Sequence, residues 1–369
     1  MVAAGERDAD LYYGTRFASP DPVLFFRIRG RDILVLSDLE YGRGIKQARV
    51  DRVLRYSELA ARATRPPHKI PDMTSVISSF LRSQGIRRVE VPAHFELGLS
   101  RAIEAKGIGV SPRTAPLFPE RSRKTSGEVA CIREALRATE KAIGKAEAVL
   151  RRSRIRGSRI YDGSRVVTSE SLRGVLHVSM AEDGLTASHT IVACGNQACD
   201  PHSEGKGPLR AHHAIVMDVF PRSSRTLYWA DITRTFVKGK ARPALRAQYE
   251  AVKEAQEAAI RAVRAGIPAH RVHEAAADVF KGRGYENRMW KGIPAGFIHG
   301  TGHGVGLEIH EPPRLNATSL HRLAVGEVVT IEPGLYYPGV GGVRLEDMVV
   351  VTGRGCVNLT KYPKRFVIP

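Results

Sequence analysis

Four carboxylates stand inside or beside apolar strand patterns, and they constrain this chain more than any other feature. Asp218 follows Ala-Ile-Val-Met, and Asp231 lies within Tyr-Trp-Ala-Asp-Ile-Thr-Arg-Thr-Phe. Glu332 follows Val-Val-Thr-Ile, and Glu346 precedes Asp347-Met-Val-Val-Val. A buried carboxylate is costly, so it must be neutral, ion-paired or bound to a metal. Each alone could be a strand-end charge or a salt-bridge partner. Four of them, with a histidine-rich stretch between the pairs, point to a single polar site that the fold must assemble.

That stretch is His299-Gly-Thr-Gly-His303-Gly-Val-Gly-Leu-Glu-Ile-His310-Glu-Pro-Pro, three histidines in twelve residues. Its glycines let the backbone pass close to a ligand. Histidines in such a setting favour ligation or proton transfer. Hard carboxylates with one imidazole suit Mn, Co, Fe or Zn in a shared two-metal site better than a thiolate-type zinc site. Two divalent ions would offset the carboxylate charge, acidify a bridging water and polarise a carbonyl.

The four cysteines, Cys131, Cys194, Cys199 and Cys356, are irregularly spaced and predict free thiols. Cys194 and Cys199 lie near His202, but no second Cys/His pair with zinc-site spacing accompanies them. Hydrophobic residues at 43% and charged residues at 26% are those of a globular protein. No apolar run is long enough for a membrane helix. The acidic first ten residues do not read as a signal peptide, so a cytoplasmic protein is expected.

A formal charge of +19 raises the question of nucleic acid. The basic residues cluster at 121–124 and 151–165 without a base-reading motif, and aromatics make up only 7% of the chain. The expectation is a solvated basic face with weak polyanion affinity, not a dedicated nucleic-acid site.

Along the chain, 22–29 and 32–37 read as a hairpin, 52–61 as an amphipathic stretch, 73–84 as a helix and 89–91 as a strand. This first layer carries no catalytic cluster and suits a lid or a dimer surface. Prolines 112, 116 and 119 mark a linker over 111–123. Thr125-Ser-Gly-Glu128 then fits a capping box opening a helix toward Leu150. A basic loop is expected over 152–164 and a helix over 169–181. Strands follow over 190–194, 214–220 and 228–237, the last two joined by the turn at 221–224. Two helices, 243–264 and 269–281, precede a β-rich end at 327–331, 342–346 and 348–352. The fold class is α/β (α+β), with domains over 1–122 and 123–369.

Asp218, Ala-Asp231-Ile-Thr-Arg-Thr-Phe, Thr-Gly-His303-Gly-Val-Gly-Leu-Glu-Ile-His-Glu, Ile-Glu332-Pro-Gly-Leu-Tyr and Gly-Val-Arg-Leu-Glu346-Asp closely resemble the pita-bread metallopeptidases. Within them the chain is similar to the Xaa-Pro branch, prolidase and aminopeptidase P. The 14 positions from Glu332 to Glu346 are similar to those of compact microbial prolidases. Lys124-Thr-Ser-Gly-Glu128 resembles the opening of the family's catalytic domain, and residues 9–17 resemble a diverged creatinase-like N-terminal segment.

The resemblance implies a metal-dependent exopeptidase with two divalent ions (Mn, Co, Zn or Fe), acting on Xaa-Pro bonds of dipeptides or peptide N-termini. Asp218 would bind one ion through both oxygens, Asp231 and Glu346 would bridge, and His303 and Glu332 would complete the second. A metal-bridged hydroxide would attack the scissile carbonyl, with Glu332 as general base. His202 and His310 would contact the substrate and its tetrahedral intermediate. Arg344 would orient Glu346 or touch substrate, unless it forms a purely structural ion pair. The resemblance also implies a homodimer. The 13-position interval from Asp218 to Asp231 is about two longer than the usual hairpin, an even insertion that a turn can absorb. The competing readings are a creatinase-like hydrolase, a metal-dependent lyase on the same fold, and a nucleic-acid-binding protein on a retired peptidase fold.

Overall fold

Apolar alternation at 23–28 and 31–36 closes into a hairpin because Arg29 and Gly30 take φ of 50° and 77° across a two-residue turn. Its register pairs Leu24 with Val35 and Phe26 with Ile33. The chain is described from a computed structural model, over residues 1–64 and 71–369. It divides into two compact units, Met1–Arg121 and Ser122–Pro369.

In the first unit the hairpin sits in a four-stranded sheet ordered Val2–Ala3, Val23–Ile28, Arg31–Leu36, Arg52–Arg55. The stretch read as one amphipathic segment at 52–61 divides in two. Val53 and Leu54 extend to pair in parallel with Leu34 and Val35, and the helix begins only at Tyr56. Asp72 accepts from the Ser75 amide to start the helix Met73–Ser83. That helix buries Val76, Ile77, Phe80 and Leu81 against Leu24, Ile33 and Val35. Two short helices, Ala9–Thr15 and Asp38–Gln47, have too few apolar positions to be legible as helices in the sequence.

The second unit opens with the capping box. Glu128 donates its amide to Thr125 Oγ1 and accepts from the Thr125 amide, and the helix runs through Ser126–Arg152. The expected basic loop that follows is instead a three-stranded sheet of Arg154–Arg156, Arg159–Asp162 and Arg165–Val166. The reason is local. Gly157 at φ 59° makes a tight turn, and buried Ile160 with half-buried Ile155 forms an apolar inner face.

Two larger sheets follow. One is ordered Ile191–Cys194, Ala214–Val219, Ile232–Lys238, Val367–Ile368. The other is ordered Glu311–Leu315, Gly302–Gly304, Val328–Ile331, Asp347–Val351, Cys356–Asn358. The helices Pro243–Ala262 and Ala269–Gly282 cover them, burying Leu245, Tyr249, Val252, Val272 and Phe280 with Leu335, Val343 and Val349. No helix among the described residues is long and apolar enough to cross a membrane. All four cysteines are free thiols.

Candidate metal centre

Strand parity brings the carboxylates together. Ala214–Val219 pairs with Ile232–Lys238 so that Asp218 faces Thr233 and Val219 faces Ile232. Continuing that register by one residue sets Asp231 on the same side of the sheet as Asp218. The longer interval is taken up between 221 and 230, where the Ala230 amide donates to the Pro221 carbonyl. In the second sheet Ile331 faces Asp347, which places Glu332 and Glu346 opposite one another just beyond the paired ends.

His303 enters from the strand Gly302–Gly304. A Cβ on Gly302 would lie 1.9 Å from the Thr330 carbonyl oxygen, and one on Gly304 would lie 2.3 Å from that of Pro312. Only glycine on both sides lets the histidine strand come this close. The His303 amide donates to Thr330 Oγ1 at 3.1 Å, which fixes its height. His303 Nε2 then lies 3.4 Å from Glu332 Oε1 and 3.7 Å from Asp231 Oδ2. Asp231, His303 and Glu346 each offer a ligand atom within 4.8 Å of the others'.

The electrostatics are those of a site short of cations. Burial, then Asp218 and Glu332, push the Asp231 carboxyl well above its usual range. Burial, then Asp231 and Glu332, do the same to Glu346. Burial lifts Glu332 to about 7, with Arg344 pulling against it and Asp218 adding to it. Burial, then His310, lowers the His303 imidazole to about 3, so it is neutral and its nitrogen lone pair is available. Asp218 Oδ1 is buried and has no hydrogen-bond partner among the described residues. Crowded hard oxygen donors, a neutral imidazole and an orphaned carboxylate oxygen fit divalent cations.

Arg344 makes no direct ion pair with Glu346 among the described residues; its Nε donates to Thr233 Oγ1 at 3.3 Å, which in turn donates to Glu346 Oε2 at 2.9 Å. Its Nη2 donates to Asp218 Oδ2 at 2.6 Å and its Nη1 to Tyr336 Oη at 2.7 Å. Burial disfavours its charge, but Tyr336, Asp218 and Glu332 outweigh that and hold the guanidinium protonated. His202 is exposed, and the Pro201 carbonyl beside it accepts from Arg344 Nη2 at 3.4 Å. His310 meets the His303 ring edge-to-face with centroids 4.3 Å apart. Asp218, Asp231, His303, Glu332, Glu346, His202, His310 and Arg344 all line one cavity of ≈ 640 Å³.

His299 and Arg314 line the same cavity and Tyr336 lies behind it, and the sequence assigns none of them an individual role. His299 Nε2 lies 2.8 Å from Tyr336 Oη, extending a chain of hydrogen bonds from Asp218 through Arg344 and Tyr336. Burial, then Arg344, lowers the His299 imidazole to about 4. Its signal was present as the first histidine of the glycine-rich stretch, and Tyr336 stands at the end of Ile-Glu332-Pro-Gly-Leu-Tyr with no individual role assigned to it. Arg314 is exposed on the cavity wall and makes no ion pair among the described residues.

Comparison with known proteins follows the same residues. The model for Metallopeptidase family M24 matches residues 130–353, a span that contains all five potential ligands. The Xaa-Pro dipeptidase of Pyrococcus furiosus is 39% identical over 176 residues, 47% of this chain and 48% of its own length. The chain thus matches about half the length of that curated relative. An X-Pro aminopeptidase structure from Thermotoga maritima has a TM-score of 0.82 at 23% identity, covering 100% of this chain and 97% of its own. A prolidase structure from Pyrococcus furiosus has a TM-score of 0.79 at 25% identity, covering 97% and 95%. The likeness to these structures extends over both units, and the family match covers more than half of the chain: the protein belongs to metallopeptidase family M24 and has the pita-bread fold.

Proposed function

We propose that the protein is a dinuclear-metal exopeptidase that hydrolyses Xaa-Pro bonds of dipeptides or peptide N-termini. The observation that carries this reading is the convergence of Asp218, Asp231, His303, Glu332 and Glu346 on one cavity, with Asp218 Oδ1 buried and without a hydrogen-bond partner among the described residues. Asp231 and Glu346 would be shared between two ions, Asp218 would hold one, and His303 with Glu332 the other. Bound there, Mn, Co, Zn or Fe would polarise the scissile carbonyl and acidify the attacking water.

The protein's own groups do the rest. Glu332 accepts the proton of the attacking water and passes it to the leaving amine, from its place at the cavity 3.4 Å from His303 Nε2. His310 and His202, at the same cavity, donate to the carbonyl oxygen as negative charge develops on it. Arg344 holds Asp218 in place through its 2.6 Å contact. Arg314 presents a cation to the free carboxylate of a short substrate, which favours dipeptides over longer peptides. A homodimer in the cytoplasm belongs to the same reading, and sedimentation tests the dimer.

The test is hydrolysis by protein loaded separately with each metal, using an Xaa-Pro dipeptide, the tripeptide that extends it by one residue, and matched peptides without proline. Cleavage of the dipeptide above all others is expected. Absence of cleavage with every metal would overturn the reading, and equal rates without proline would remove its specificity.

A further inference from the structure

The sheet that replaces the expected basic loop gathers arginines onto one face. In an antiparallel ladder, directly opposed residues share a face, as do residues two apart on one strand. Arg154 faces Tyr161 and Arg156 faces Arg159 across the hairpin. An isolated bridge then sets Arg210 opposite Arg159. Arg154, Arg156, Arg159 and Arg210 therefore line one outer face around Tyr161, and all four are exposed. Ile155 and Ile160 take the other face, and so does Asp162, which is bound to Arg152 at 2.6 Å.

Like charges directly opposed on a sheet are destabilising. Arg156–Arg159–Arg210 is a row of such oppositions, and none of the four arginines makes an ion pair among the described residues. A folded protein tolerates such a row at little cost in water, but the row becomes favourable when an anion with several charges lies along it. The Arg156 guanidinium stands 5.2 Å from the centre of the half-buried Tyr161 ring, which sets an aromatic ring, the kind of group on which a nucleobase stacks, among the arginines. No large exposed apolar side chain among the described residues comes from this sheet, so it lacks the apolar anchor of a membrane-surface element. Guanidinium forks match phosphate oxygens in pairs, which lysine does not.

We propose that the face formed by Arg154, Arg156, Arg159 and Arg210 with Tyr161 binds the phosphate backbone of single-stranded nucleic acid, without sequence preference. This surface is independent of the metal centre, so it stands or falls separately from the hydrolytic reading.

The test is fluorescence anisotropy of a labelled single-stranded oligonucleotide of roughly 20 nucleotides with the full chain, at about 50 and about 200 mM salt. The variant R154S/R156S/R159S/R210S is compared with R246S/R261S/R264S/R354S, which removes the same charge from exposed arginines elsewhere. The face variant should lose at least ~10-fold in affinity at low salt, and its salt slope should fall by about 3. The control variant should stay within about 3-fold of the parent. Thermal melting checks folding, and R156S/R159S carries the test if the fourfold variant melts early. Equal weakening in both variants would reduce the effect to net charge and overturn the proposal. So would an unchanged face variant, or face-dependent binding to anionic vesicles with none to the oligonucleotide.

Discussion

Glu346 and Asp347 are neighbours in the chain, both buried, and their electrostatic surroundings are opposite. The peptide between them crosses the sheet, so one carboxylate points into the cavity with Asp231 and Glu332 while the other points into the protein. Burial raises the Asp347 carboxyl, but Arg234 and Lys364 outweigh it and the net shift is downward. Arg234 Nη2 lies 2.8 Å from Asp347 Oδ1, Lys364 Nζ 3.0 Å from Oδ2, and Asn358 Nδ2 donates at 2.9 Å. Glu346 accepts from Thr233 Oγ1 at 2.9 Å, and burial, then Asp231, Glu332 and Asp218, outweigh the pull of Arg344 and drive it well above the usual range. Lys124 with Glu311 repeats the neutralised arrangement elsewhere in the same unit. Asp347 and Glu311, both buried, each have a base beside them. Among the acids of the cavity Asp218 has Arg344, while burial and like charge push Asp231, Glu332 and Glu346 upward, a shortfall that divalent cations would offset.

The largest effect should come from emptying the cavity side of this pair. Asp231→Asn should lower peptide hydrolysis by more than about 10³-fold and lose bound metal in elemental analysis. Retained stoichiometry would remove Asp231 from the ligand set. Glu332→Gln should cost about 10³-fold in kcat while keeping more metal than Asp231→Asn. A near-parental rate would mean that another group takes the proton.

The structural side should respond in stability instead. Asp347→Asn leaves Arg234 buried without its counter-charge and should cost about 3 kcal/mol in denaturant unfolding, with metal content unchanged. Loss of metal without loss of stability would erase the distinction between the two faces. A smaller effect is expected for Arg314→Gln: a rise of about 10-fold in KM for an Xaa-Pro dipeptide and little change for the tripeptide. Equal changes for both would free Arg314 from carboxylate recognition.

The smallest effect concerns pH. Glu332, raised to about 7 in the metal-free fold, binds its proton more tightly folded than unfolded. Its contribution to stability is complete below the ordinary carboxylate range and is lost as pH rises through about 7. Chelator-treated protein should therefore melt ~5 °C lower at pH 8 than at pH 5, and added metal should flatten or reverse that slope. A metal-free protein that gains stability over this interval would contradict the charge shortage.

Much of this is legible in the sequence, for a local reason. Carboxylates set in apolar strand patterns announce that something must offset their burial, and the glycines flanking His303 announce a close backbone approach. The helix from Ser126 was legible because Thr125 and Glu128 cap it within four residues. The strand alternation of Ile155 and Ile160 was hidden by the arginines between them, so a sheet read as a loop.

By itself the sequence determined which residue types had to be buried together and what chemistry could offset their cost, because burial patterns and capping are written in neighbouring residues. Which partner each acid received was decided only by the tertiary structure. Arg344 reaches Asp218 across 126 positions rather than Glu346 beside it, and His299 joins Tyr336 across 37. Such pairings depend on which strand faces which, and no local pattern encodes the difference between a base supplied to Asp347 and one withheld from Glu346.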